Sequence, residues 1–145
     1  MYEPDENNYN ECKKMEEKYD NISVRPYGIS DICEKMNFEN NKKSGSKFSD
    51  NGQVTIEVRT LDKDINEKIS FFKADVEGHE IQVLRGAKNH ILTDSPKIAI
   101  CVYHYLSDIW ELPMHILSVN KGYKLYLRHY SNGCSETVLY AVPAQ

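Results

Sequence analysis

The sequence predicts an α/β domain whose largely parallel sheet finishes in an antiparallel edge pair, and three observations carry this reading. Apolar runs at 53–59, 69–74, 97–104, 123–130 and 136–142 are rich in β-branched and aromatic residues and have strand lengths. Segments with helical apolar spacing at 6–19, 79–92 and 110–120 fall between them. The resulting order, β-α-β-loop-β-β-α-β-α-β-β, alternates as crossover units do. Size agrees with a single unit. At 16.8 kDa, a compact chain buries roughly 69% of its unfolded surface, enough for one core and too little for two. Residues 1–145 are therefore read as one domain.

Pro4 and Asp5 suit the start of a helix, with Asp5 as its cap. That helix is charged nearly all round, with Tyr9, Cys12, Met15 and Tyr19 as a thin apolar stripe. The alternation of Ile22 to Tyr27 predicts a short strand, and Gly28 to Asp31 a turn. A short edge strand fits around Met36 to Phe38. The polar stretch 40–52 reads as a mobile loop. Strict alternation from Gln53 to Arg59 predicts a strand, as does Ile69 to Ala74. Gly86 lies inside the following helix at a cost of about 1 kcal/mol relative to alanine, which implies a close packing contact there. Ser95-Pro96 stops that helix, and the apolar run to His104 predicts a strand covered on both faces. Pro113 lies near the start of the last helix, Gly122 ends it, and residues 131–134 join the final two strands.

Composition removes several function classes. With 18 basic against 22 acidic residues the net charge is −4, and no basic stripe carries stacking rings, so no nucleic-acid partner is expected. No apolar stretch approaches the roughly 20 residues that span a bilayer, and no leader pattern opens the chain. A cytoplasmic protein without a membrane partner is the expectation. Cys12, Cys33, Cys101 and Cys134 form no close pair, so reduced thiols are expected, with Cys101 as a small buried hydrophobe.

In an open α/β sheet, ligands bind beyond the carboxyl ends of the strands. Asp75 and Glu77 follow one strand, His104 ends another, and Glu3 stands where a strand has just finished. Asp75 and Glu77 also suit a plain helix-capping role, and His104 that of a satisfied strand-end histidine. Asp75, Glu77, His79 and His104 could ligate a metal, but no H-E-x-x-H frame is present and no metal is expected. A nucleophile elbow, a phosphate loop and a G-x-G-x-x-G fingerprint are all absent from the sequence.

The run Phe71-Phe72-Lys73-Ala74-Asp75-Val76-Glu77-Gly78-His79-Glu80, followed by Val83-Leu84-Arg85-Gly86-Ala87, resembles the K-I-D-V-E-G-x-E…V-L-K-G-A signature of FkbM-type methyltransferases. The resemblance extends over Tyr2-Glu3-Pro4, Leu61-Asp62, Pro96-Lys97-Ile98, Val102-Tyr103-His104, Trp110 to Pro113 and Gly122 to His129. It implies a Rossmann-like class I methyltransferase sheet with strand order 3-2-1-4-5-7-6 and S-adenosylmethionine as cofactor. It further implies O-methylation of a hydroxyl on a sugar or secondary metabolite, so that the partner is a small-molecule or glycan acceptor. Under it, Glu3 would accept the cofactor ribose hydroxyls, Gly28 and Ile29 would lie near the adenine, and Asp75 beside the methionine end. Glu77 would be near the acceptor, and His104 could orient or deprotonate its hydroxyl.

The family's first strand and glycine-rich loop have no counterpart here. The chain is therefore read as N-terminally truncated, opening at an internal methionine, and its short form is expected to be inactive. The strand before Glu3 and the Phe71–Ala74 strand would then carry unpaired edges. Such edges are templates for another chain, which gives the alternative of a catalytically dead interaction module, most simply a homodimer.

Overall fold

In the computed structural model, which describes residues 1–39, 47–49 and 51–144, the first helix starts as its sequence dictates. The Asp5 carboxylate accepts the amides of Asn7 and Asn8, both at 3.0 Å, and caps α1 (Glu6–Lys18). None of its residues is buried, because the apolar stripe is too thin to draw the helix inward. The chain then returns beside its own start. Tyr2 pairs with Arg25 in a parallel bridge, with the Glu3 amide donating to Arg25 O at 3.1 Å.

Strand β1 (Gly28–Ile29) runs parallel to β4 (Val54–Arg59), which lies antiparallel to β2 (Glu34–Glu39), itself antiparallel to β3 (Lys47–Phe48). A second sheet has the order β5-β6-β8-β7, from β5 (Phe71–Ala74), β6 (Lys97–Cys101), β7 (Tyr123–His129) and β8 (Thr137–Pro143). Short helices α2 (Leu61–Asp64), α3 (Glu80–Gly86) and α4 (Lys88–Thr93), with the longer α5 (Asp108–Val119), complete the described elements.

The α/β class holds, but the largely parallel sheet does not. Among the described residues only β1·β4 and β5·β6 are parallel strand pairs, while β2·β3, β2·β4, β6·β8 and β7·β8 are antiparallel. The reason lies in the connections. Helix α5 carries the chain past one strand position to β7, and the short connection brings β8 back into that position, antiparallel to both neighbours. Apolar runs locate strands without naming their neighbours. The same blindness explains β2, expected at an edge but flanked on both sides by β4 and β3.

Other expectations change locally. The strand predicted at 22–27 shrinks to the single bridge at Arg25, and the turn predicted from Gly28 begins as strand β1. In the expected loop 40–52, Lys47–Phe48 is strand; residues 40–46 and 50 lie outside the described residues. The helix expected over 79–92 breaks at Ala87, whose φ of −108° and ψ of 13° leave the helical region.

One core runs between the helices and the second sheet, centred on the fully buried Leu84, Ile91, Ile100, Leu112 and Ile116. Gly86 shows why a glycine sits within it. A Cβ there would come 2.0 Å from the carbonyl oxygen of Ser30, so α3 and the end of β1 touch backbone to backbone. This contact ties the helix after the Asp75–Gly78 turn to the first sheet.

Candidate active site

The run Phe71–Ala74 alternates exposure until Ala74 enters the core, and the chain then turns sharply. Val76 to His79 form the turn, with the His79 amide donating to Val76 O at 3.2 Å. Its two central residues have positive φ, 54° at Glu77 and 91° at Gly78, as a type I′ turn requires. Glycine is needed at the second, since a Cβ would stand 2.5 Å from the Tyr105 ring. Glu77 holds a backbone region unfavourable to its side chain, which is the kind of local strain that concentrates at functional sites.

This turn, the first residue of α3 and the residues after β6 bring four ionisable groups together. His104 Nε2 lies 3.7 Å from Asp75 Oδ1 and 3.5 Å from Glu77 Oε2, while its Nδ1 lies 3.0 Å from Glu80 Oε1. The Asp75 carboxylate also accepts the Tyr103 hydroxyl at 3.1 Å and faces the Lys73 ammonium at 3.8 Å. Glu80 is 1% exposed and reaches back to accept the Val76 amide at 2.9 Å, which fixes the turn from within. Burial raises its carboxyl pKa, opposed by the Val76 amide and by His104. Asp108, also buried, accepts the Tyr105 amide at 2.8 Å and adds negative charge nearby. Burial and the adjacent Asp75 carboxylate push the Tyr103 hydroxyl upward, and the buried Cys101 thiol up to about 12, so neither ionises near neutrality.

Asp75, Glu77 and His104 thus meet in one cluster. Glu80, which sequence reasoning passed over as a helix residue, is its most buried member. The pattern that could have found it is a carboxylate at the first position of a helix that is followed by apolar core residues. His79 turns elsewhere: its Nε2 lies 2.9 Å from Ser30 Oγ and its ring 4.2 Å from that of Phe48. Burial lowers its pKa to about 4, the Asp31 carboxylate opposing, so it is neutral at physiological pH.

The remaining sequence candidates lie on the first sheet and the chain start. Glu3 Oε1 accepts the Asp5 amide at 2.9 Å, and burial raises its carboxyl above the ordinary range. Gly28 and Ile29 are buried in β1, with the Cβ position of Gly28 3.0 Å from Phe48 Cζ. Beyond Phe48 an open cleft of about 470 Å³ is lined by Lys35, Met36, Asn37, Phe48, Ser49 and His79. Through Phe48 it adjoins Gly28, and none of Asp75, Glu77, Glu80 and His104 is among its lining residues. The described helices include none long and apolar enough to cross a membrane.

The family model described as the methyltransferase FkbM domain matches residues 1–125. A crystal structure of a methyltransferase FkbM from Methylobacillus flagellatus KT superposes with a TM-score of 0.78 at 29% identity, over 97% of this chain. The chain spans 35% of that protein's length. No curated protein matches the chain. The matched model takes in the Asp75–Glu80 turn, His104 and Glu3, and by that match the chain belongs to the FkbM methyltransferase family.

Proposed function

We propose that this chain is an S-adenosylmethionine-dependent methyltransferase acting on a hydroxyl of a sugar or other small molecule. The observation that carries the reading is the His104 imidazole held among Asp75, Glu77 and Glu80 beyond the carboxyl ends of two adjacent parallel strands. The order β5-β6-β8-β7 supports a Rossmann-like arrangement, since it equals the last four positions of the expected 3-2-1-4-5-7-6.

The residues present suit the donor in part. Glu3 is half-buried with its carboxylate on the Asp5 amide and the Asn8 side chain, so a ribose would have to share it, and Asp75 is partly exposed beside His104. Gly28 has its Cβ side filled by Phe48, which leaves only its backbone and that of Ile29 for an adenine. When bound, S-adenosylmethionine would supply a sulfonium methyl open to in-line attack by an acceptor oxygen, with S-adenosylhomocysteine as the leaving group. The chain's own groups then align that nucleophile, and alignment supplies much of the rate. Glu77, on its strained turn, faces outward where an acceptor would lie. Glu80 Oε1 lies 3.0 Å from Nδ1 on one side of the His104 ring, while Nε2 faces Asp75 and Glu77 on the other. There His104 orients the acceptor hydroxyl or takes its proton.

Transfer of labelled methyl from S-adenosylmethionine to a panel of sugars, polyols and phenols tests this. Label on oxygen is expected, with His104→Ala slowing transfer by about 100-fold or more, the usual worth of a positioned base. Equal rates for His104→Ala and wild type would remove His104 from the site.

One observation favours a second reading, an interaction module. Strand β5 ends its sheet with Phe71 55% exposed, an edge on which a second copy of the chain could pair.

A further inference from the structure

We propose that Asp75, Glu80 and His104 hold a divalent metal ion. One carboxylate oxygen of each acid and one ring nitrogen of His104 lie within 4.8 Å of one another. Ligands bound at about 2.0–2.3 Å to a single ion cannot stand much further apart than this. The residues come from three elements: the turn after β5, the first position of α3 and the segment after β6. Their sequence separation therefore spells no metal motif, and of the four residues weighed from the sequence as ligands only Asp75 and His104 belong to this set.

A second observation points to a ligand independently of the clustering. Glu80 Oε2 is buried and has no hydrogen-bond partner among the described residues. Neither nitrogen of His104 has one either, although its side chain is only 10% exposed; Glu80 Oε1 is close to Nδ1 but out of line for a hydrogen bond. Buried polar atoms are satisfied in the great majority of cases, and three orphans in one cluster call for a shared partner. Charge points the same way. Asp75, Glu77 and Glu80 surround one imidazole, Asp108 lies near, and Lys73, 3.8 Å from Asp75, has its side chain 58% exposed. A dication would balance this surplus.

Two carboxylate oxygens and one imidazole suit an ion of the Mn²⁺ type, and no thiolate is present to select a softer one. Asp75 and Glu77 are partly exposed, so the ion has a path in and positions left for water or an acceptor oxygen. The role of such an ion rests on the methyl-transfer reading: it would hold the acceptor hydroxyl and ease loss of its proton, with His104 as ligand rather than base. Binding of the ion does not rest on that reading.

The test is titration of the whole chain with Mn²⁺, followed by the loss of the free-ion electron paramagnetic resonance signal. One ion per chain at micromolar strength is expected. Glu80→Gln and His104→Gln, each shown folded by circular dichroism, should bind at least about tenfold more weakly. Folded wild-type protein that takes up no Mn²⁺ at millimolar concentration overturns the proposal, as does binding equally strong in both variants. S-adenosylhomocysteine added to the same samples separates the two ideas. Cofactor binding without Mn²⁺ uptake overturns the metal site alone, and Mn²⁺ uptake without cofactor binding supports it while counting against methyl transfer.

Discussion

Replacing Gly86 with alanine is expected to destabilise the chain by about 3 kcal/mol or more, at or above the upper end of the usual range for overpacking. The added Cβ would lie 2.0 Å from the Ser30 carbonyl oxygen and 2.9 Å from its carbonyl carbon, both backbone atoms that no rotamer change can move aside. Helix propensity alone favours alanine by about 1 kcal/mol, so the sign of the measured change decides which effect wins. Either α3 must lift from β1 or the end of β1 must give way. The consequence reaches the site, because α3 begins with Glu80, and Glu80 accepts the Val76 amide and lies beside the His104 ring. Denaturant unfolding measures the loss, and a stability equal to or above wild type would show that the two backbones are not in contact.

The second large effect is expected at Asp64, whose carboxylate gathers three donors. It accepts the Tyr2 hydroxyl at 2.7 Å, the Tyr27 hydroxyl at 2.6 Å and Arg59 Nη1 at 3.1 Å, with its side chain 7% exposed. Burial by itself would raise its pKa, but the Tyr27, Tyr2 and Arg59 bonds outweigh burial and hold it below the ordinary value. A carboxyl lowered on folding contributes stability that is complete above its unfolded pKa, near 3.9, and is lost as pH falls through the folded value. Asp64→Asn keeps the shape and removes the charge. At pH 7 it is expected to cost about 2 kcal/mol, the scale of hydrogen bonds to a charged group. The difference from wild type should shrink as the pH drops from about 4 through the lowered folded value, because the unfolded chain takes up its proton first. Unfolding at a series of pH values checks both parts, and a pH-independent difference would show that charge is not what matters there. Loosening is expected at Tyr2 first. Tyr2 carries the bridge to Arg25, and the neighbouring Glu3 is positioned by it.

Gly86 and Asp64 also mark what could be read from the chain alone. The glycine inside a helix pattern signalled a close contact, because its cost needs a reason, and the Ser30 carbonyl supplies that reason. Asp75, Glu77 and His104 could be placed on one rim from strand ends alone, since polar groups following apolar runs must emerge at the same side of the sheet. Asp64 gave no such signal. Its partners Tyr2 and Tyr27 lie 62 and 37 residues away in sequence, and only the folded chain brings them together. Glu80 was missed for a related reason: a carboxylate in a first helical turn suits a solvated surface as well as a buried one. Sheet neighbours were the least legible feature, because β2 and β8 pair according to how their connections run and not according to any pattern within them.

The central claim is that the rim carrying Asp75 and the chain start carrying Glu3 bind the methyl donor. Calorimetric titration of the purified chain with S-adenosylhomocysteine tests this most directly. The account predicts saturable binding at micromolar strength that is lost in Glu3→Ala and in Asp75→Ala, with both variants folded by circular dichroism. No binding to folded wild-type protein, or binding that both variants retain at full strength, would contradict it.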